Sequence, residues 1–200
     1  MKIAHSILGV PVQDWENRPR PQPNVIQGQY CILEPLNLEK HSESLFLAFN
    51  ASGNNDSWAY LPYGPCNTLE EFQQCMQNII SDKDTLLYSI IDINTRKSIG
   101  VCGYLKINPD HGVIEIGHLH YSKFLQKTVA STEAMYLMMK YVFDDLGYRR
   151  YEWKCNNLNE PSRKAALRLG FTFEGMFRQT NVFKGHNRDT AWFSIIREFN

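Results

Sequence analysis

Apolar positions in this chain recur in two rhythms, a period of two and a period near 3.6, and their succession predicts a mixed α/β domain. Residues 29–35 alternate, Tyr30 and Ile32 against Cys31 and Leu33, which predicts a first strand. Asn37 stands where it can cap a helix running to about Asn50. Thr68-Leu69-Glu70-Glu71 has capping-box spacing for a second helix through Ile80. Between these helices Trp58-Ala59-Tyr60-Leu61-Pro62-Tyr63-Gly64-Pro65 reads as an aromatic loop. Three strand-like runs follow, Leu86–Ile93, Ser98–Ile107 and Val113–Tyr121. They are separated by Asn94-Thr95-Arg96-Lys97 and Asn108-Pro109-Asp110-His111-Gly112, turn residues that favour an antiparallel meander.

The second half changes period. From Ser131 to Leu146 the apolar residues Met135, Met138, Met139, Val142 and Leu146 form a helical stripe, with Gly147 just past the end. Arg149–Cys155 then alternates as a strand, with Arg149, Tyr151 and Trp153 on one face and Arg150, Glu152 and Lys154 on the other. Strand, helix and strand in this order predict a parallel βαβ crossover from Val113–Tyr121 to Arg149–Cys155. Asn159 caps a short helix that Gly170 ends, and Phe171–Phe177 and Thr190–Arg197 are two strands joined through Lys184-Gly185-His186-Asn187. The predicted order is β-α-α-β-β-β-α-β-α-β-β: a mixed, mostly antiparallel sheet with one parallel crossover and flanking helices. Pro11, Pro19, Pro21 and Pro23 make residues 1–24 an extended arm ahead of a single domain at 25–200.

Composition narrows the partners. Lys plus Arg and Asp plus Glu each number 21, so no global field draws the chain to nucleic acid or anionic lipid. The basic-aromatic stretch Tyr148–Lys154 therefore reads as a strand rather than a nucleic-acid patch. Five scattered cysteines without a C-x-x-C pair read as reduced, mostly buried thiols. The N-terminal apolar run is too short for a signal peptide and no stretch approaches membrane-spanning length, so a cytoplasmic protein is expected.

A loop from a parallel strand into a helix is the default ligand position in such a sheet, because the helix's first amides are unpaired and its dipole is positive there. Here that loop is Ser122–Thr132, with Lys123 and Lys127 adding charge and Ala130 and Ser131 allowing close approach. Read alone, it is either an anion site or a capped helix with surface lysines. His118-x-His120 could hold a metal with His111 or Asp110, but no Cys pair or carboxylate run supports it, and no metal is expected.

Five segments, taken in order, resemble one family. They are Glu115-Ile116-Gly117-His118; Gln126 through Thr132-Glu133-Ala134-Met135; Asn159-Glu160-Pro161-Ser162-Arg163-Lys164-Ala165-Ala166; Leu169-Gly170-Phe171 with Glu174-Gly175; and Gly185 with Arg188-Asp189-Thr190. The chain resembles the GCN5-related N-acetyltransferases, in the branch of the ribosomal-protein N-terminal acetylases, over roughly residues 25–200. The resemblance implies acetyl-CoA (coenzyme A) as cofactor and direct attack of a neutral amine on the thioester in a ternary complex. It implies that the backbone at His118, Leu119 and His120 holds the pantetheine arm and supplies the oxyanion donor. Gln126, Lys127, Thr128, Ala130, Ser131 and Thr132 would wrap the diphosphate. Asn159 and Ser162 would lie by the pantetheine and its sulfur, with Ser162 placed to serve as acid. The base would come from Glu115, which reads equally as a strand carboxylate paired to a neighbouring Arg or Lys, or from His118 or His120 acting through water. Trp58, Tyr60 and Tyr63 would line the acceptor mouth or pack the loop against the sheet.

Two departures stand out. Val129 and Ser131 occupy positions where the family's loop usually has glycines, so Val129 is expected to take ordinary helical geometry with its side chain turned away. Asn181 stands where the ribosomal branch has a glutamate, which counts against a ribosomal-protein substrate. The acceptor is thus a small-molecule or peptide amine of open identity, and the protein a monomer or homodimer. The competing reading is a non-catalytic acyl-CoA-binding or regulatory module; a metal-dependent hydrolase using the histidines is more distant.

Overall fold

Eight strands form one sheet, and the chain switches from antiparallel to parallel pairing only once within it. In chain order the elements are β1 (Ile26–Gln27), β2 (Cys31–Pro35), α1 (Leu38–Asn50), a 3₁₀ turn (Asp56–Trp58), α2 (Leu69–Ile80), β3 (Leu86–Asp92), β4 (Ser98–Asn108) and β5 (Val113–Tyr121). There follow α3 (Val129–Lys140), a π-helical turn (Tyr141–Asp145), β6 (Arg150–Asn156), α4 (Glu160–Arg168), β7 (Thr172–Phe183) and β8 (His186–Ile196). This computed structural model describes residues 10–53 and 56–197. The first nine residues of the predicted arm, and with them the N-terminal apolar run, lie outside that range. The strand order is β1-β2-β3-β4-β5-β6-β8-β7, with β5 and β6 parallel and every other pair antiparallel, in agreement with the predicted class.

The predicted caps explain the helix starts. The side chains of Asn37, Thr68 and Asn159 accept hydrogen bonds from the backbone N–H of Lys40, Glu71 and Ser162, satisfying donors that a helix's first turn leaves open. The long predicted helix differs in detail. It begins at Val129 rather than Ser131, and after Lys140 it widens into the π turn, where Leu146 N–H bonds Tyr141 O at 3.0 Å. Gly147 then takes φ 69°, as a residue past a helix end must when the chain turns back. The last hairpin is longer than its hydrophobic pattern indicates, β7 running to Phe183 and β8 starting at His186. Nearly all of β7 is exposed, so the alternation that marks a half-buried strand is missing there.

Helices cover the sheet unequally. On one face α3 and α4 pack Ala134, Met135, Met138 and Ala166 against Tyr104, Ile114, Ile116, Tyr151, Trp153 and Phe193. On the other, α1 and α2 pack Leu45, Phe49, Phe72 and Met76 onto Leu87 and Val101 of β3 and β4 only. The β5–β8 half of that second face stays open and polar, and it is there that Glu115, Glu152 and Lys154 project. Residues of the arm run along the domain: Arg18 N–H bonds Pro109 O at 3.0 Å, and Tyr88 hydroxyl donates to Gln22 O at 3.1 Å.

Candidate active site

The parallel pair does not stay paired. β5 and β6 match Val113 to Arg150, Ile114 to Tyr151, Glu115 to Glu152 and Ile116 to Trp153, and pairing ends there although β5 continues to Tyr121 and β6 to Asn156. The cause lies on β5's other edge. Gly103 faces Gly117 and Val101 faces His120, so two steps of β4 span three of β5. The extra residue makes a bulge with His118 at φ 49°, which turns the strand away from β6. The backbone edge of β5 beyond Ile116 is thereby released from the sheet. Around the opening, His118 Nδ1, Tyr121 hydroxyl and Ser122 Oγ are buried without a hydrogen-bond partner. Such atoms are costly unless a ligand or water completes them.

The loop that follows shapes a donor cluster. Leu125 and Gln126 N–H both bond Ser122 O at 3.0 Å, and Gln126 Nε2 donates to Tyr121 O at 2.8 Å, tying the loop to the strand it leaves. Lys127, not residue 129, supplies the left-handed turn, with φ 61°. Val129 is the first residue of α3, has ordinary helical geometry and is 61% exposed, so its bulk points away from the backbone. Thr128 caps the helix, its Oγ1 accepting from Ser131 N–H at 3.2 Å and donating to Leu125 O at 2.7 Å; that hydroxyl proton is therefore not free for an anion. Ser131 Oγ likewise donates to Thr128 O, at 2.7 Å. The amides of Lys127, Val129 and Ala130 have no acceptor among the described residues, and they lie at the positive end of α3. Thr132 Oγ1 receives Arg168 Nη1 at 3.1 Å, which brings an α4 guanidinium beside the loop. A diphosphate fits this set of donors.

Across the opening, Ser162 Oγ accepts a hydrogen bond from Trp153 Nε1 at 3.0 Å, while its own N–H is capped by Asn159 Oδ1 at 3.2 Å. With its oxygen engaged by the indole, the hydroxyl is oriented with its proton towards the Cys155 sulfur. Burial raises the Cys155 thiol above its ordinary pKa, with hydrogen bonding to Ser162 opposing it, so Cys155 is a buried thiol rather than an activated nucleophile.

Glu115 projects from β5 just before the opening, into a chain of charges on the open face. Its Oε2 meets Lys154 Nζ at 2.8 Å, Lys154 meets Glu152 at 2.8 Å, Glu152 meets Arg150 at 2.6 Å, and Arg150 grips Glu174. Burial holds the Glu115 carboxyl above the usual carboxylate range, and Lys154 only partly offsets this. The two histidines fare otherwise. Burial pushes His118 down to about 4, with Asp82 opposing, and His120 down to about 3. His120 is sandwiched by Phe49, ring centroids 3.5 Å apart, and Trp58, with Nε2 3.2 Å from Ser57 Oγ. It is neutral and weakly basic in this packing, which removes the physical reason to expect it as the base. Among the described residues no group of three or more His, Cys, Asp or Glu could hold a metal.

The aromatic loop divides. Trp58 is fully buried between Phe49, Phe72 and His120 and packs the loop down. Tyr63 lies over His118, centroids 6.1 Å apart, with its buried hydroxyl unpartnered, and Tyr60 hydroxyl donates to Leu158 O at 3.1 Å. Tyr60 thus reaches to the β6–α4 connection, while Tyr63 packs with Trp58 against the α1–α2 core. Lys184, readable in sequence only as a turn residue, also holds this loop. From the β7–β8 turn its Nζ donates to the carbonyls of Trp58 at 2.9 Å, Gly64 at 3.1 Å and Tyr63 at 3.4 Å. No motif or spacing marks it, because all three acceptors are backbone atoms distant in sequence. A cavity of about 740 Å³, lined by Leu47, Ala48, Ile99 and Phe124, lies on the α1 side and contains none of the predicted site residues.

Known proteins resemble this chain in sequence and fold. A family model described as an acetyltransferase (GNAT) domain matches residues 31–172. The crystal structure of a GCN5-related N-acetyltransferase from Brucella melitensis is 44% identical, covers 92% of this chain and 84% of its own, and superposes with a TM-score of 0.90. An uncharacterized N-acetyltransferase p20 of Bacillus licheniformis is 29% identical over 136 residues, 68% of this chain and 76% of that protein. RimL, a ribosomal L7/L12 α-N-protein acetyltransferase solved with coenzyme A, shares the fold at 20% identity and a TM-score of 0.72, over 86% of this chain and 98% of its own.

Proposed function

The chain belongs to the GCN5-related N-acetyltransferase (GNAT) family, and on that premise we propose that it binds acetyl-CoA in the β5–α3 opening and acetylates an amine there. The observation that carries this reading is the coincidence of two releases of backbone: the edge of β5 freed after Ile116, and the unbonded amides of Lys127, Val129 and Ala130. The amides at the start of α3 would hold the diphosphate, with Arg168 and Lys127 beside it. The freed edge from His118 to His120 would hold the pantetheine arm, with Asn159 at its far side. Bound acetyl-CoA supplies the thioester carbonyl that an amine can attack.

Two side chains then handle protons. Glu115, its carboxyl raised by burial and sited at the mouth, takes the amine proton through water, and Lys154 keeps it oriented. Ser162, oriented by Trp153, gives a proton from Oγ to the departing sulfur. Tyr60 and Tyr63 border the path by which the amine enters. No helix among the described residues is long and apolar enough to cross a membrane, and free thiols at all five cysteines suit a reducing, cytoplasmic setting.

Calorimetry with acetyl-CoA and a thiol-release assay over an amine panel test the reading. Glu115→Gln is expected to lower kcat/KM by about 10²-fold or more. Because a base works only when deprotonated, the wild-type rate should rise with pH through the raised Glu115 pKa, and this acidic limb should vanish in the variant. An unchanged limb would move the base elsewhere. Tight acetyl-CoA binding without thiol release for any amine would support the acyl-CoA-binding module instead.

A further inference from the structure

The acceptor end of the sheet holds a guanidinium that the protein leaves unneutralised. Along β8, Arg188, Thr190 and Trp192 alternate with Asp189 and Ala191, and Trp192 lies opposite Lys154, so these three side chains share the open face with Lys154 and Glu115. On that face Arg188 Nε, Thr190 Oγ1 and Trp192 Nε1 are all buried atoms without a hydrogen-bond partner. The charge chain of the face stops short of them: Lys154 is shared by Glu115 and Glu152, and Arg150 by Glu152 and Glu174. Arg188 has no carboxylate within ion-pair distance among the described residues. Its sequence neighbour Asp189 is occupied, accepting from Gln179 N–H at 2.8 Å and Asn187 Nδ2 at 3.0 Å. Its cross-strand partner is the neutral Asn181, and the guanidinium lies 5.2 Å from the centre of the Phe183 ring.

Neighbouring cations sharpen the imbalance. Lys184, in the turn of the same hairpin, spends its donors on the uncharged carbonyls of Trp58, Tyr63 and Gly64. Arg163, on the first turn of α4, has a buried unpartnered Nε and only a 3.5 Å contact to Asn157 O, while Glu160 nearby is paired with Lys164 at 2.6 Å. Both histidines of the mouth are neutral. A half-buried guanidinium with an unmet N–H is unfavourable unless a ligand completes it, and its planar fork matches a carboxylate or phosphate. A purely cationic acceptor would be repelled from this end of the opening.

We propose that the amine acceptor also carries an acidic group, a carboxylate or a phosphate, and that Arg188 binds that group. The inference rests on the acetyl-transfer reading. It divides amines into two classes: those paired with an acid, which this site selects, and polyamines or aminoglycoside-like polycations, which it rejects.

Matched probes test it: γ-aminobutyrate against butylamine, serine against serinamide, and phosphoethanolamine against ethanolamine. Each is assayed by thiol release with acetyl-CoA and by thermal shift of the acetyl-CoA-loaded protein. The acidic member of at least one pair should win by about tenfold or more in kcat/KM, the scale of one charged hydrogen bond. Arg188→Gln should abolish that preference chiefly through KM, Arg188→Lys should keep part of it, and rates with the neutral members should change less than about twofold. Which pair responds separates carboxylate from phosphate. Equal use of acidic and neutral members, a preference that survives in Arg188→Gln, or no response to any acidic probe in either assay overturns the proposal. Failure of acetyl-CoA to bind in calorimetry would instead strike the acetyl-transfer reading, and the shift with acidic probes alone still reports on Arg188.

Discussion

Glu133, one residue beyond the proposed cofactor loop, should be a principal clamp of α3, and its removal should cost both stability and acetyl-CoA affinity. Its carboxylate accepts the backbone N–H groups of Gln29 at 2.8 Å, Tyr30 at 2.7 Å and Cys31 at 2.9 Å, binding the first turn of α3 to the β1–β2 connection. Gly28 makes room for it, since a Cβ there would sit 2.5 Å from Glu133 Oε2. Burial works to raise this carboxyl, but the three amides outweigh it and hold the pKa below the usual value. Three charged hydrogen bonds at about 1.5–3 kcal/mol each would sum to about 4–9 kcal/mol if fully buried. Gln29 and Tyr30 are exposed, however, so water can replace part of the carboxylate there, and Glu133→Gln keeps one acceptor. We therefore expect a loss of about 2–3 kcal/mol, or roughly 4–12 °C in Tm for a domain of this size. The sign with pH follows from the lowered pKa. The contribution is present above the unfolded carboxylate's pKa and fades as pH falls through the lower folded value, so wild type and variant should converge in acid. Urea melts at several pH values, with acetyl-CoA calorimetry at neutral pH, measure both parts. A loss below about 0.5 kcal/mol at neutral pH, within surface scatter, would refute the clamp.

Val129→Gly restores the residue type usual in the family's loop, yet it should not improve acetyl-CoA affinity by more than about twofold, because Val129 is already helical and outward and glycine at a helix start only loosens it by a few tenths to 1 kcal/mol; calorimetry giving tenfold tighter binding would show that the side chain obstructs the site. Lys184→Met removes the ammonium that joins three carbonyls of the aromatic loop, so KM for the amine should rise severalfold while acetyl-CoA affinity stays within about twofold, as one to two hydrogen bonds from a largely exposed group allow. Steady-state kinetics showing KM unchanged would mean that the loop holds its shape without Lys184.

Much of the fold is written where single residues decide local geometry. Asn37, Thr68 and Asn159 announce helix starts because a short polar side chain can satisfy an open amide, and each does so. Tyr151 and Trp153 against Arg150, Glu152 and Lys154 announce a strand with one buried face, and the core and the charge chain divide along that line. The β7–β8 hairpin is shorter in sequence than in space because its outer half is exposed on both faces, and nothing in a period of two survives when neither face is buried.

The site itself is harder to read, and for a different reason. Its decisive features are backbone states: the bulge at His118, the left-handed Lys127, and the edge of β5 that β6 abandons after Trp153. None of these residues is a glycine, so composition offers no hint of a positive φ, and the strain is held by the pairing of β4 with β5 on the far side. The motif leads to the right loop but expects its freedom at residue 129, two positions beyond where it falls. The side chains that sequence does advertise there, Thr128 and Ser131, are spent on the helix's own backbone. Substitutions at these polar side chains should therefore act on cofactor affinity by shifting the helix start. The groups proposed to handle the amine, Glu115, Lys184 and Arg188, lie further along the sheet, and no single stretch of sequence places them together.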